Sequence, residues 1–112
     1  MGVIYPQASF KNSRVSSRKP TTQARTYDLI VKAGASNTLV AQKDQKRTYI
    51  SLRNNDLTPG NDMRFDYFDN PSMLTNGFLI KAGEAYDIES PEAIYARAVV
   101  SDVEANYDQG EG

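Results

Sequence analysis

From residue 26 onward the chain is a succession of short β-like runs, cut about every 8 to 12 residues by turn-forming clusters. Tyr27, Leu29 and Val31 alternate with Asp28 and Lys32 until Ala33-Gly34-Ala35-Ser36 breaks the run, and Thr38 to Ala41 forms a second one. Ile50 and Leu52 alternate with Tyr49, Ser51 and Arg53, and Met63, Phe65 and Tyr67 alternate with Arg64 and Asp66. Side chains of a strand point to opposite faces in turn, so each run can bury one face and wet the other. The breaks at Asn54-Asn55-Asp56, Thr58-Pro59-Gly60-Asn61 and Asn70-Pro71 carry residues that favour turns. Asn76-Gly77 reads as a two-residue hairpin turn into Phe78-Leu79-Ile80, and Ala82-Gly83-Glu84 precedes Tyr86 and Ile88.

The segment after Ser90-Pro91-Glu92 has two readings. A cap, a proline in the first turn and an early acid could open a helix with Ile94, Tyr95, Ala98 and Val99 on one face. As a strand it turns Ile94, Ala96, Ala98 and Val100 inward and Tyr95, Arg97 and Val99 outward, and the β context favours this reading. Beyond Ser101, the acids Asp102, Glu104, Asp108 and Glu111 suggest a frayed tail over 102–112. The expected fold is all-β: a small antiparallel sandwich or jelly roll of about seven to eight strands over residues 26–101.

Residues 1–25 show neither period, and Ser9, Asn12, Ser13, Ser16, Ser17, Pro20, Thr21 and Thr22 mark an extended or disordered arm. It could span about 80 Å. The net charge of −1 hides a segregation: the arm holds Lys11, Arg14, Arg18, Lys19 and Arg25 with no acid, and the rest holds 8 basic and 14 acidic residues. An acidic body argues against nucleic acid as the arm's target. The arm instead suits an acidic protein surface, with Arg14, Arg18 and Lys19 pairing while Tyr5, Phe10 and Val15 bury. No run approaches the ~20 apolar residues of a membrane span, and the start lacks the apolar core of a signal peptide, so the chain reads as soluble and intracellular at synthesis.

With 112 residues, His 0 and Cys 0, the chain has no disulfides, no thiolate or imidazole metal site and no histidine- or cysteine-based catalysis. A carboxylate-only glycosidase would have to draw on Asp62, Asp66 and Asp69, or on Glu84, Asp87, Glu89 and Glu92. All of these fall in turns or at alternating positions, where solvated acids are expected, so the chain reads as a non-enzyme. Asn61, Asp62, Asp66, Asp69 and Asn70 could hold a hard cation, but without EF-hand spacing, and neither metal nor cofactor is expected. Tyr27, Phe65, Tyr67, Phe78 and Tyr86 fall on strand faces and read as packing residues, whereas Tyr49 and Tyr95 point outward and are candidates for contact with a partner.

Several of these segments resemble small decoration proteins of tailed-bacteriophage heads. They are Ala33-Gly34 before Thr38-Leu39-Val40, the stretch Arg47 to Asn55, Gly77 to Glu84, and Ala93-Ile94-Tyr95-Ala96. The resemblance spans about residues 26–101 and omits the arm. It implies a jelly-roll cement or stapling protein on the outer capsid surface, bound to the major capsid protein, as a dimer across a symmetry axis. The same pattern resembles modules of phage spikes and fibres that touch host sugars, which makes receptor or glycan binding the alternative.

Overall fold

The computed structural model describes residues 23–111. Eight strands and one helical turn follow in order: β1 Gln23–Val31, β2 Thr38–Ala41, β3 Arg47–Asn54, β4 Met63–Asp66, α1 Met73–Asn76, β5 Phe78–Ile80, β6 Ala85–Ile88, β7 Ile94–Ala98 and β8 Val103–Glu111. They form two antiparallel four-stranded sheets, sheet A in the order β1-β8-β3-β6 and sheet B in the order β2-β7-β4-β5. The first strand pairs with the last, the second with the seventh, the third with the sixth and the fourth with the fifth. A chain doubled back on itself and rolled into two sheets in this way is a jelly roll.

The core lies between the sheets. Leu52 and Ile50 from β3, Val31 from β1 and Val103 from β8 meet Phe65 and Met63 from β4, Ile80 from β5 and Ile94 and Ala96 from β7, all at 0 or 1% exposure. The inward positions are those of the expected alternation, including Ile94, Ala96 and Ala98 in the segment with two readings, which is strand β7. Val100, expected to continue that inward face, lies beyond the strand and is exposed.

Buried polar groups are tied to backbone. The Arg47 guanidinium donates to the carbonyls of Gln42 at 3.0 Å and Ser90 at 3.0 and 3.1 Å, and to that of Glu92, so one side chain holds the loops after β2 and β6. Burial lowers its pKa from the usual value, against the smaller raising effects of Asp44, Tyr107 and Glu92. The Asn54 amide donates to the carbonyls of Asn61 and Ile80, and its oxygen accepts from the Asp56 N–H.

Three expectations are corrected. Residues 103–111 are not a frayed tail: β8 pairs with β1 on one side and β3 on the other. Val103, Ala105 and Tyr107 alternate inward, and the acids Glu104 and Asp108 occupy the outer face, so the period of two outweighs the charge. The body therefore runs to Glu111, and at the other end β1 begins at Gln23, inside the expected arm. Residues 1–22, which carry most of that arm, lie outside the described residues.

Asn76-Gly77 does not make a two-residue hairpin. Asn76 is the last residue of the helical turn α1 and Gly77 caps it, its N–H donating to the Met73 carbonyl at 2.9 Å. A Cβ on Gly77 would lie 2.7 Å from both the Met73 carbonyl oxygen and its sulfur, so glycine is needed here for close approach. Gly83, with φ +82°, supplies the turn between β5 and β6.

Candidate interaction surfaces

β5 and β6 are the edge strands of their sheets and are joined by the short 81–84 turn, so they close the same side of the sandwich. Phe78 is the register partner of Phe65, and Tyr86 that of Leu52, and residues directly opposite share a face. Both therefore point toward the core, yet Phe78 is 43% and Tyr86 39% exposed, because no further strand covers this edge. The Phe65 ring stacks on Phe78 at 5.1 Å and meets Tyr86 edge-on at 4.9 Å. Tyr67, just past β4, stands 6.0 Å from both Phe65 and Phe78. The result is an aromatic edge with a buried phenylalanine beneath three half-exposed rings. Burial raises the Tyr67 pKa, and nearby Tyr86 and Asp66 add to the effect.

The opposite side of sheet A carries a second aromatic pair, Tyr27 stacked on Tyr107 at 5.0 Å. Burial raises the Tyr107 pKa, with Tyr27 adding to and Arg47 opposing the shift. This is the side of β1, the strand that continues residues 1–22.

Three of the candidate acids are engaged by hydrogen bonds within loops. Asp62 accepts from the Ala82 N–H at 3.0 Å, Asp66 from the Tyr67 N–H and the Asn70 amide, and Asp69 from the Asn37 amide at 2.7 Å. They hold loops, and among the described residues no group of three or more Asp or Glu is placed to hold a metal ion. Asp56 and Asp102 line one shallow depression of about 370 Å³ with Asn61 and Ser101. Both carboxyls sit below their usual range, Asp56 through hydrogen bonds from the Thr58 N–H and the Asn61 amide, Asp102 through bonds from the Ala33 N–H and Lys32.

Of the residues expected to touch a partner, Tyr5, Phe10, Arg14, Val15, Arg18 and Lys19 lie outside the described residues. Tyr49 and Tyr95 are half-buried, Tyr49 in β3 of sheet A and Tyr95 in β7 of sheet B, both with the outward parity expected. They stand on opposite faces of the sandwich and do not form one site. The aromatic edge was missed as a surface, since alternation tells which way Phe78 and Tyr86 point but not that their strands are outermost.

No family model and no curated protein matches the sequence. Solved structures do match in fold. An RmlC-like cupin family protein with a double-stranded β-helix fold from Methanocaldococcus jannaschii aligns over 84% of this chain and 76% of its own, with TM-score 0.54 and 10% identity. An HTH_3 family transcriptional regulator from Vibrio cholerae aligns over 94% of this chain, which spans 63% of the regulator, with TM-score 0.57 and 11% identity. A structure described as Bacillus endospore appendages forming disulfide-linked pili aligns over 84% and 91%, with TM-score 0.51 and 11% identity. At these identities the likeness is one of fold alone, and the jelly-roll scaffold serves many unrelated functions.

Proposed function

We propose that this chain is a structural, non-catalytic protein that binds the outer surface of a tailed-bacteriophage head and ties neighbouring major capsid protein subunits together. One observation carries the reading: the two elements suited to gripping another surface are mounted at opposite edges of sheet A. The basic segment 1–22 leads into β1, and β6 carries Tyr86, one of the three half-exposed rings of the aromatic edge. Three strand spacings, about 14 Å, separate them. A body gripping at both edges is bivalent, and the second contact gains from the effective concentration set by the first. Fully extended, a segment of 22 residues would span at most about 75 Å.

The absence of histidine and cysteine, the loop-holding acids and the resemblance to head decoration proteins support the same reading. A second reading, glycan binding, has the aromatic edge in its favour, because exposed rings can stack on sugars as well as on protein.

The experiment is titration of isolated heads with the purified protein. Arg14→Ala with Arg18→Ala should weaken binding and flatten its salt dependence, because exposed charge pairs are screened within about 8 to 10 Å at physiological ionic strength. Phe78→Ala with Tyr86→Ala should weaken it while leaving the salt dependence in place. Binding to a host glycan array, with none to heads, would favour the second reading and refute the first.

A further inference from the structure

The outer faces of the two sheets differ in kind. On sheet B, Arg64 and Arg97 are register partners on adjacent strands, so two guanidinium groups stand side by side. Like charges directly opposite each other destabilise a sheet. Arg64 donates to the Gly77 carbonyl and Arg97 to Asn37 and the Ala35 carbonyl, but among the described residues neither forms an ion pair with a carboxylate. Around them on the same face stand Leu39, 43% exposed, Leu79, 37% exposed, and Tyr95 with its register partner Asp66, whose carboxylate is engaged by the Tyr67 N–H and the Asn70 amide rather than by either arginine. A sheet face turned to water ordinarily carries polar residues. Apolar side chains around a like-charged pair suit a face that another surface covers, one that brings carboxylates.

The outer face of sheet A answers that description. Asp28, Asp87, Glu104 and Asp108 all have outward parity there, and Asp28, Asp87 and Glu104 are exposed, with Ile30, 45% exposed, beside Glu104. Arg53 is the basic residue among them, bonded to Asn106 at 2.9 Å and 3.9 Å from Asp108. We propose that sheet B of one copy docks head-to-tail on sheet A of a second copy, with Arg64 and Arg97 meeting the carboxylate face and Leu39, Tyr95 and Leu79 burying between the sheets. The inference needs no capsid and stands apart from the function proposed above.

Each copy offers both faces, so the contact is heterologous and generates rows or rings rather than closed pairs. Four strands at ~4.8 Å spacing and four or five residues at ~3.3 Å give a patch of only about 300 Å². That is well below the ~800 Å² per partner of a stable interface, so the contact is weak between two free molecules and gains strength where many copies are held side by side.

Sedimentation velocity of the full chain at low salt, up to about millimolar concentration, tests this. Association should weaken at least tenfold in Arg64→Glu with Arg97→Glu, and equally in Asp87→Lys with Glu104→Lys, whose exposed positions spare the fold. Neither variant should self-associate alone, yet an equimolar mixture should, because each then offers one reversed and one native face. Recovery on mixing also shows that both are folded. The proposal is overturned if wild type stays monomeric throughout, or if the Asp87→Lys, Glu104→Lys protein associates as wild type does, as a sheet B to sheet B dimer would. It is equally overturned if neutralising Lys11, Arg14, Arg18 and Lys19 abolishes association while the Arg64→Glu, Arg97→Glu protein keeps it, which would make the N-terminal segment the occupant of the acidic face.

Discussion

Ending the chain at Ser101 should unfold it. The cut removes β8, the strand that lies between β1 and β3 in sheet A, and with it the buried side chains of Val103, Ala105 and Tyr107. Burial of a valine contributes about 1.5 to 3 kcal/mol, and a tyrosine burying ~150 to 250 Å² contributes about 4 to 6 kcal/mol, for a loss of about 6 to 9 kcal/mol before any hydrogen bond is counted. Reducing that by roughly 10 to 40% for residual burial in the unfolded chain leaves about 4 to 8 kcal/mol. A domain spanning residues 23–111 has a total stability of about 4 to 13 kcal/mol, and β1 would also lose its ladder partner. Far-UV circular dichroism of the truncated protein should show lost β signal and no cooperative melt. A truncated chain that melts cooperatively within about 5 °C of the full one, a shift worth roughly 1 kcal/mol, would refute the assignment of β8 to the core.

Phe65→Ala, at a fully buried site, should cost about 3 to 5 kcal/mol in urea unfolding, whereas Phe78→Ala on the exposed edge should cost about 1 to 2 kcal/mol. Equal costs would mean that the edge is closed. Arg47→Met keeps the aliphatic bulk but leaves the carbonyls of Gln42, Ser90 and Glu92 without their donor, and should cost about 2 to 4 kcal/mol by the same assay. Arg47→Lys should not restore it, since an ammonium lacks the planar fork. Asp56 and Asp102 have depressed folded-state pKa values, so their contribution is present above the unfolded value of 3.8 and lost as pH falls through the folded one. Melting temperature should therefore drop as the pH falls below about 4, and the double variant Asp56→Asn, Asp102→Asn should drop less steeply.

The alternation of single strands was legible because burial of one face imposes it: Leu52, Phe65 and Ile80 all point inward as their neighbours imply. A sandwich or jelly roll of about seven to eight strands was legible in the count and spacing of such runs, but the eighth strand, β8, was not among the runs counted. What misled was composition. The acids of residues 102–111 suggested solvation, although Val103, Ala105 and Tyr107 keep the same period as any other strand of the body. Asn76-Gly77 looked like a hairpin turn for conformational reasons, while the glycine is required by the close approach of Met73 at the end of the helical turn α1, an element the strand pattern did not announce. The surfaces were harder still. Strand order decides which side chains sit at an edge and which arginines face each other, and in this topology the pairings span long sequence separations, up to that of Gln23 with Glu111.

The claim that this chain is a head-surface staple is tested most directly by electron cryomicroscopy of heads made with and without it. The account predicts density for a jelly roll on the outer surface, seated across a boundary between major capsid protein subunits and present only when the chain is made. Identical maps from the two preparations, or density confined to a tail fibre or spike, would contradict it.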